Sequence, residues 1–196
     1  MPRTRKVDKT VAQQKALSAF WKIGYNQLGV RALEEATGIN RFALQKEYGG
    51  KAGLFIKVLD DYLLLSENGV FNNVSNGGLE EVATLFLMRA DNETLPEETR
   101  YGCLAINTAC ENDGKNEEIN HRIMNFFDMI GDAFKSALSN EKKQGTLKDN
   151  VNIQQACEFL RGELIGLNVV ARANRDNQAI LPAVKFTANI VRSWKK

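Results

Sequence analysis

The chain is poor in the residues from which catalytic and metal centres are assembled. Its 196 residues contain one histidine, His121, and three cysteines, Cys103, Cys110 and Cys157. The cysteines form no Cys-x-x-Cys pair and lie outside the basic region, which argues against a zinc framework or a disulfide scaffold and suits small buried apolar side chains. His121, following Asn120 on a helical pattern, reads as a surface or rim residue and not as a general base. The phosphate-cradling Gly-x-x-x-x-Gly-Lys, the Gly-x-Ser-x-Gly elbow and the His-Glu-x-x-His pair are all missing. Glu80-Glu81, Glu97-Glu98 and Glu117-Glu118 stand at expected helix starts, where the helix dipole accounts for them without catalysis. No catalytic residue, metal ligand or cofactor is nominated. Apolar runs are short as well: none approaches the roughly 20 residues needed to cross a bilayer, and the opening Met-Pro-Arg-Thr-Arg-Lys-Val-Asp-Lys lacks the apolar run of a secretory signal. The expected location is the cytoplasm, without a membrane partner.

What is present is an uneven charge and a short organising motif. The net charge is only +2, but residues 1–60 hold 11 Lys/Arg against 5 Asp/Glu, and residues 61–196 hold 15 against 19. The phosphate-attracting field therefore belongs to the N-terminal part. Within it, two helical patterns flank Gly38-Ile39-Asn40. Val30, Leu33 and Ala36 or Thr37 give the first its inward stripe; Gly38 ends it in a left-handed conformation; Asn40 caps the second. That is a helix-turn-helix. Leu44, Ile39 and Tyr48 close its small core, which leaves Arg41, Phe42, Gln45 and Lys46 outside or at the rim. Arginine pairs with guanine, glutamine with adenine, and an apolar ring lies on a thymine methyl. A preceding helix over 10–23, with Val11, Ala16, Phe20 and Ile23 inward and Thr10 as cap, carries Arg3, Arg5 and Lys6 as an arm toward the backbone or minor groove. Lys51 follows Gly49-Gly50 at a helix start and reads as a phosphate anchor.

The order Gly24-Tyr25, Val30, Ala36-Thr37-Gly38-Ile39-Asn40, Leu44, Tyr48, Lys51 and Leu54 resembles the DNA-binding domain of the tetracycline-repressor (TetR) family. The motif spans about a quarter of the chain. Gln45 stands where the family normally has tyrosine, Glu47 where it often has histidine, and Phe42 where it has a small residue. The resemblance implies a double-stranded DNA operator as partner and a DNA contact set of Arg5, Arg31, Asn40, Arg41, Phe42, Ala43, Gln45, Lys46 and Lys51. It also implies an all-α fold of about nine helices, divided into a head (1–51) and a helical ligand-binding and dimerisation body (52–196).

Beyond the head, Ala52 to Glu67 reads as one long helix and Asn68 to Gly78 as a loop. Helical periods resume over 79–89, 100–112, 117–140, 153–173 and from Pro182 onward. The phrase Gly102-Cys103-Leu104 with Ile106-Asn107 is similar to one found in many TetR-type regulators. Ile153, Cys157, Leu160, Leu164, Leu167 and Ala171 form a heptad-like seam. A second stripe of Gly162, Gly166, Val169 and Ala173 permits close backbone approach. One helix with two packing faces needs two neighbours: the last segment, with Val184 and Val191, supplies one, and the same pair of helices from a second subunit supplies the other, as a four-helix interface. A homodimer interface is expected at Leu160, Gly162, Gly166, Val169, Ala173, Val184 and Val191. A cavity for a small apolar or amphipathic ligand is expected among Phe86, Met88, Cys103, Ile106, Phe127, Met129, Ile130 and Phe134, with Arg89, Asn107 and Glu163 as polar anchors.

The expected function is a homodimeric repressor released from a palindromic operator by a small molecule. Two alternatives are a thiol-responsive regulator acting through Cys103 and Cys110, and a helical small-molecule-binding protein whose head binds DNA weakly.

Overall fold

The computed structural model describes residues 8–111 and 114–196; Arg3, Arg5 and Lys6, expected to form the basic arm, lie outside them. The elements are α1 (Lys9–Ile23), α2 (Val30–Thr37), α3 (Arg41–Tyr48), α4 (Lys51–Ser66), α5 (Asn72–Asn76), α6 (Leu79–Met88), α7 (Leu104–Glu111), α8 (Glu117–Lys143), α9 (Ile153–Asn174) and α10 (Leu181–Ser193). A π turn, Glu67–Phe71, joins α4 to α5, and 3-10 turns cover Glu97–Tyr101 and Asn177–Ile180. Among the described residues, ten α segments thus make nine rods, because α4, the π turn and α5 run on as one kinked rod. Among the described residues no strand forms; an isolated antiparallel bridge joins Leu147 to Lys195. The fold is all-α.

The head is α1 to α3 laid on the start of α4. Ala12, Ala16, Phe20 and Trp21 are the buried face of α1, while Val11 and Ile23, expected inward, are exposed. Ala16 and Phe20 are buried as expected, and only the ends of the stripe differ, with Ala12 and Trp21 inward in place of Val11 and Ile23; the Trp21 indole is drawn into the junction with the body. Asp8, not Thr10, caps α1: its carboxylate accepts from the Thr10 and Val11 amides at 2.9 and 3.3 Å. Val30 is likewise 40% exposed; Leu33 and Thr37 carry the inward face of α2.

In the body, α8 runs through the middle, with α5, α6, α7 and α9 packed around it. The segment expected as a loop over 68–78 is mostly helical. Its Asn and Gly residues loosen the rod into a π turn, with Gly69 at non-helical angles (φ −92, ψ −106), without ending it. Conversely, the helix expected over 100–112 begins only at Leu104, because Gly102, at φ 79, breaks the chain after the 3-10 turn.

The heptad seam of α9 is buried at Cys157, Leu160, Leu164, Leu167 and Ala171. It faces its own protomer, chiefly α8, whereas α10 packs mainly on α6. This corrects the expected interface: Leu160, Val184 and Val191 are fully buried within the protomer and are unavailable to a second copy. Gly162, Gly166, Val169 and Ala173 lie on the opposite, exposed side of α9.

Candidate nucleic-acid interface and its junction with the body

The helix-turn-helix is built from local backbone chemistry. Gly38 adopts the left-handed conformation (φ 76) and its amide donates back to Glu34 O at 2.8 Å. Asn40 Oδ1 accepts from the Ala43 amide at 2.9 Å, capping α3. Thr37, buried, donates to Leu33 O at 2.7 Å and accepts from the Ile39 amide at 3.1 Å, which stiffens the turn. Glu34 reaches across from α2: its carboxylate accepts from the Arg41 amide and lies 3.9 Å from the Arg41 guanidinium. Sequence reasoning passed over Glu34, although its position seven residues before Arg41 was open to notice.

The outer surface of α3 carries Arg41, Phe42, Gln45 and Lys46, all exposed, with Leu44 buried beneath them. The Gln45 amide oxygen hangs over Gly50, where an added Cβ would lie 3.1 Å from it. Ala43 is half-buried, and Asn40 is exposed but engaged as the cap. Arg31, on α2, pairs with Glu35 at 3.2 Å. Glu47 is offset by Lys9 at 2.9 Å, and the hydrogen bond that Lys9 donates to the Glu47 carboxylate raises the Lys9 pKa. Lys51 begins α4 with its ammonium 4.7 Å from the Tyr25 ring centroid, a cation–π contact; partial burial lowers its pKa, against the nearby Glu111 charge that raises it. Gly53 explains how closely α4 crosses the end of α3, since a Cβ there would sit 1.6 Å from Tyr48 O.

A polar latch ties this head to the body. Arg172 on α9 donates to Trp21 O at 3.2 Å and to Glu111 Oε1 at 3.2 Å. The other Glu111 oxygen accepts from the Asn26 amide at 3.2 Å, and Glu111 O accepts from Asn26 Nδ2 at 2.6 Å. Buried Trp21 donates its indole N–H to Gly102 O at 2.9 Å and stands edge-on to Tyr62 at 5.0 Å. Ser18 donates to Glu98 Oε1 at 2.7 Å, which holds the Glu98 carboxyl below the usual carboxylate range, with Lys22 3.5 Å away. None of these partners was legible in sequence, because the hydrogen bonds join residues 61 to 151 positions apart.

Of the expected ligand residues, Phe86, Ile106, Ile130 and Phe134 are fully buried. Phe86 and Phe134 stack at 6.2 Å. Cys103 accepts the Tyr62 hydroxyl at 3.1 Å, and burial, reinforced by Cys103 and opposed by Arg89, raises the Tyr62 pKa well above its ordinary value. Arg89 donates to Asn168 Oδ1 at 2.7 Å and Asn107 to Tyr101 O at 2.7 Å. Tyr62 and Asn168 therefore join this group. Phe127 is half-buried against Phe126, and Glu163 accepts from the Thr187 hydroxyl at 3.0 Å. Met88 and Met129 line separate clefts of about 440 and 510 Å³.

Residues 78–186 match the family described as tetracyclin repressor-like, C-terminal domain. The chain belongs to this family. It is similar over its whole length to the HTH-type transcriptional regulator YezE of Bacillus subtilis, at 23% identity over 193 residues, 97% of this chain and 100% of that one. It is also similar to the HTH-type transcriptional repressor ComR of Escherichia coli, at 22% identity, covering 98% of this chain and 91% of that one. Among solved structures it resembles the TetR family regulator CifR, a cysteine mutant complexed with 26-base-pair double-strand operator DNA. The TM-score is 0.80 at 25% identity, over 98% of this chain and 100% of that one. As a TetR-type protein the chain is a DNA-binding transcriptional regulator and not an enzyme.

Proposed function

We propose that the protein is a homodimeric repressor that holds a palindromic operator through two copies of α3 and lets go when a small apolar or amphipathic molecule enters the body. The observation that carries the reading is the outer face of α3, where Arg41, Phe42, Gln45 and Lys46 are exposed over a buried Leu44. Asn40, Arg31, Lys46, Lys51 and the arm residue Arg5 would contact backbone phosphates, which add affinity but no sequence information. Arg41, Phe42 and Gln45 would meet base edges. ComR's description as a repressor and CifR's operator complex support the same direction.

Dimerisation would use the exposed side of α9, at Gly162, Gly166, Val169 and Ala173, extended by Val170 and by Phe186 of α10, which is 68% exposed. Two heads on one body address half-sites one turn of DNA apart, roughly 34 Å. A ligand among Phe86, Arg89, Cys103, Asn107 and Phe134 works only by binding the two head spacings unequally. The latch is the nearest route from that region to the heads, since Gly102, adjacent to Cys103, holds Trp21. The working place is the cytoplasm, with the DNA.

The test is selection of genomic fragments by the purified protein, followed by binding titrations with Arg41→Ala and Gln45→Ala. Each should lower affinity for the selected operator by about 1–3 kcal/mol. Indifference to both changes would remove α3 as the reading helix.

A second reading, a thiol-responsive regulator, is favoured by the Tyr62–Cys103 hydrogen bond next to the junction. Cys103 immediately precedes α7 and Cys110 lies about two helical turns further on, a rise of about 10 Å and beyond the roughly 7 Å a disulfide spans, so Cys103 would act without Cys110 as its partner. Operator release by oxidant that survives Cys103→Ser would dismiss it.

A further inference from the structure

We infer that Phe42 reads the C5-methyl group of one thymine in each operator half-site. The inference rests on α3 being the reading helix and adds to it the base type that a single residue selects. With successive residues 100° apart, the buried Leu44 and half-buried Tyr48 fix the inward direction of α3, and Phe42 lies nearly opposite, between Gln45 and Lys46. It is 80% exposed, the most exposed large apolar side chain among the described residues. On its flanks Arg41 is drawn toward Glu34 and Gln45 toward Gly50. The ring stands with Lys46 on the outward surface of the helix and is the one apolar group there among the exposed residues of α3.

A major groove offers that position nitrogen and oxygen acceptors, amino donors, and one apolar group, the thymine methyl. A phenyl ring neither donates nor accepts. Against a G·C pair it strips water from O6 and N7 without replacing the hydrogen bonds lost, which is costly. Against thymine, two apolar surfaces leave water together, which is favourable. Selection at this base pair therefore runs through desolvation, in contrast to the hydrogen-bond recognition available to Arg41 and Gln45.

The experiment uses the full-length protein and an operator recovered by selection from random duplex DNA. Each thymine of a half-site is replaced in turn by uracil, which removes only the methyl group. One thymine per half-site should respond, with wild-type affinity falling about fourfold for one replacement and about fifteenfold for both half-sites. Phe42→Ala should be insensitive to uracil at that position, Phe42→Leu should keep part of the response, and both should keep the wild-type salt slope, since no phosphate contact is lost. A uracil scan that is flat for the wild type, or equally deep for Phe42→Ala, overturns the inference and leaves the reading helix in place. Failure to recover any bound fragment at low salt overturns both.

Discussion

At the scale of single residues, the head depends on a few positions whose neighbours dictate their identity. Gly53 is one, since a glycine inside a helix ordinarily costs about 0.5–1 kcal/mol relative to alanine and here makes room for Tyr48 O. Gly53→Ala should therefore destabilise the protein despite alanine's better helix propensity, lowering the thermal midpoint and shifting α3 against α4. A midpoint that rose would show that α4 can back away from α3 at no cost. Glu34 is another. Its carboxylate holds the Arg41 amide and stands by the exposed guanidinium, so Glu34→Gln should keep the backbone contact while freeing the arginine. Operator affinity is expected to rise slightly at low salt, because a surface ion pair competes with DNA by only about 0–1 kcal/mol, and the difference should vanish as salt screens both.

At the scale of elements, α1 is held between the reading unit and the body by the Arg172–Glu111 pair and by Glu98. Hydrogen bonds to charged groups are worth about 1.5–3 kcal/mol each, and removing one partner strands the other. Arg172→Met should thus loosen the head: hydrogen exchange should accelerate in α1 through α3 before it does in α8, and operator affinity should fall although no DNA contact is touched. Uniform acceleration through α8 would mean that the latch supports the whole fold and does not position the head. Glu98 adds a pH dependence of known sign. Its folded pKa is depressed by the Ser18 hydroxyl, so the stabilisation is present above the unfolded-state pKa and is lost as pH falls through the folded one. Thermal midpoints measured between about pH 7 and about pH 3 should fall less for Glu98→Gln than for the wild type, the two curves converging at the acid end.

For the whole molecule, the unpartnered side of α9 sets the expected assembly. Gly162 and Gly166 have nothing within 4 Å of an added Cβ, so Gly166→Arg should be tolerated by the protomer and resisted by any partner laid against that face. Sedimentation is expected to show a dimer for the wild type and a protomer for the variant, with the helical circular dichroism kept. Operator affinity should drop at least about tenfold, because a lone head loses the effective concentration that a linked second head provides. A variant that remained dimeric would place the interface elsewhere.

What the sequence determined by itself is whatever neighbours along the chain decide. The Gly38-Ile39-Asn40 turn, the Asn40 cap, the exposed set on α3 and the buried seam of α9 all follow from spacings of one to seven residues, and the structure places them accordingly. Tertiary structure decided which partner each face meets. Periodicity shows that Leu160, Val184 and Val191 are inward, but only the competition among all apolar faces for burial assigns them to the protomer's own core. The burial of Trp21 in α1 and the junction built on Glu98, Glu111 and Arg172 have the same origin: their contacts close across up to 151 positions of chain, and local pattern carries no record of a partner that distant.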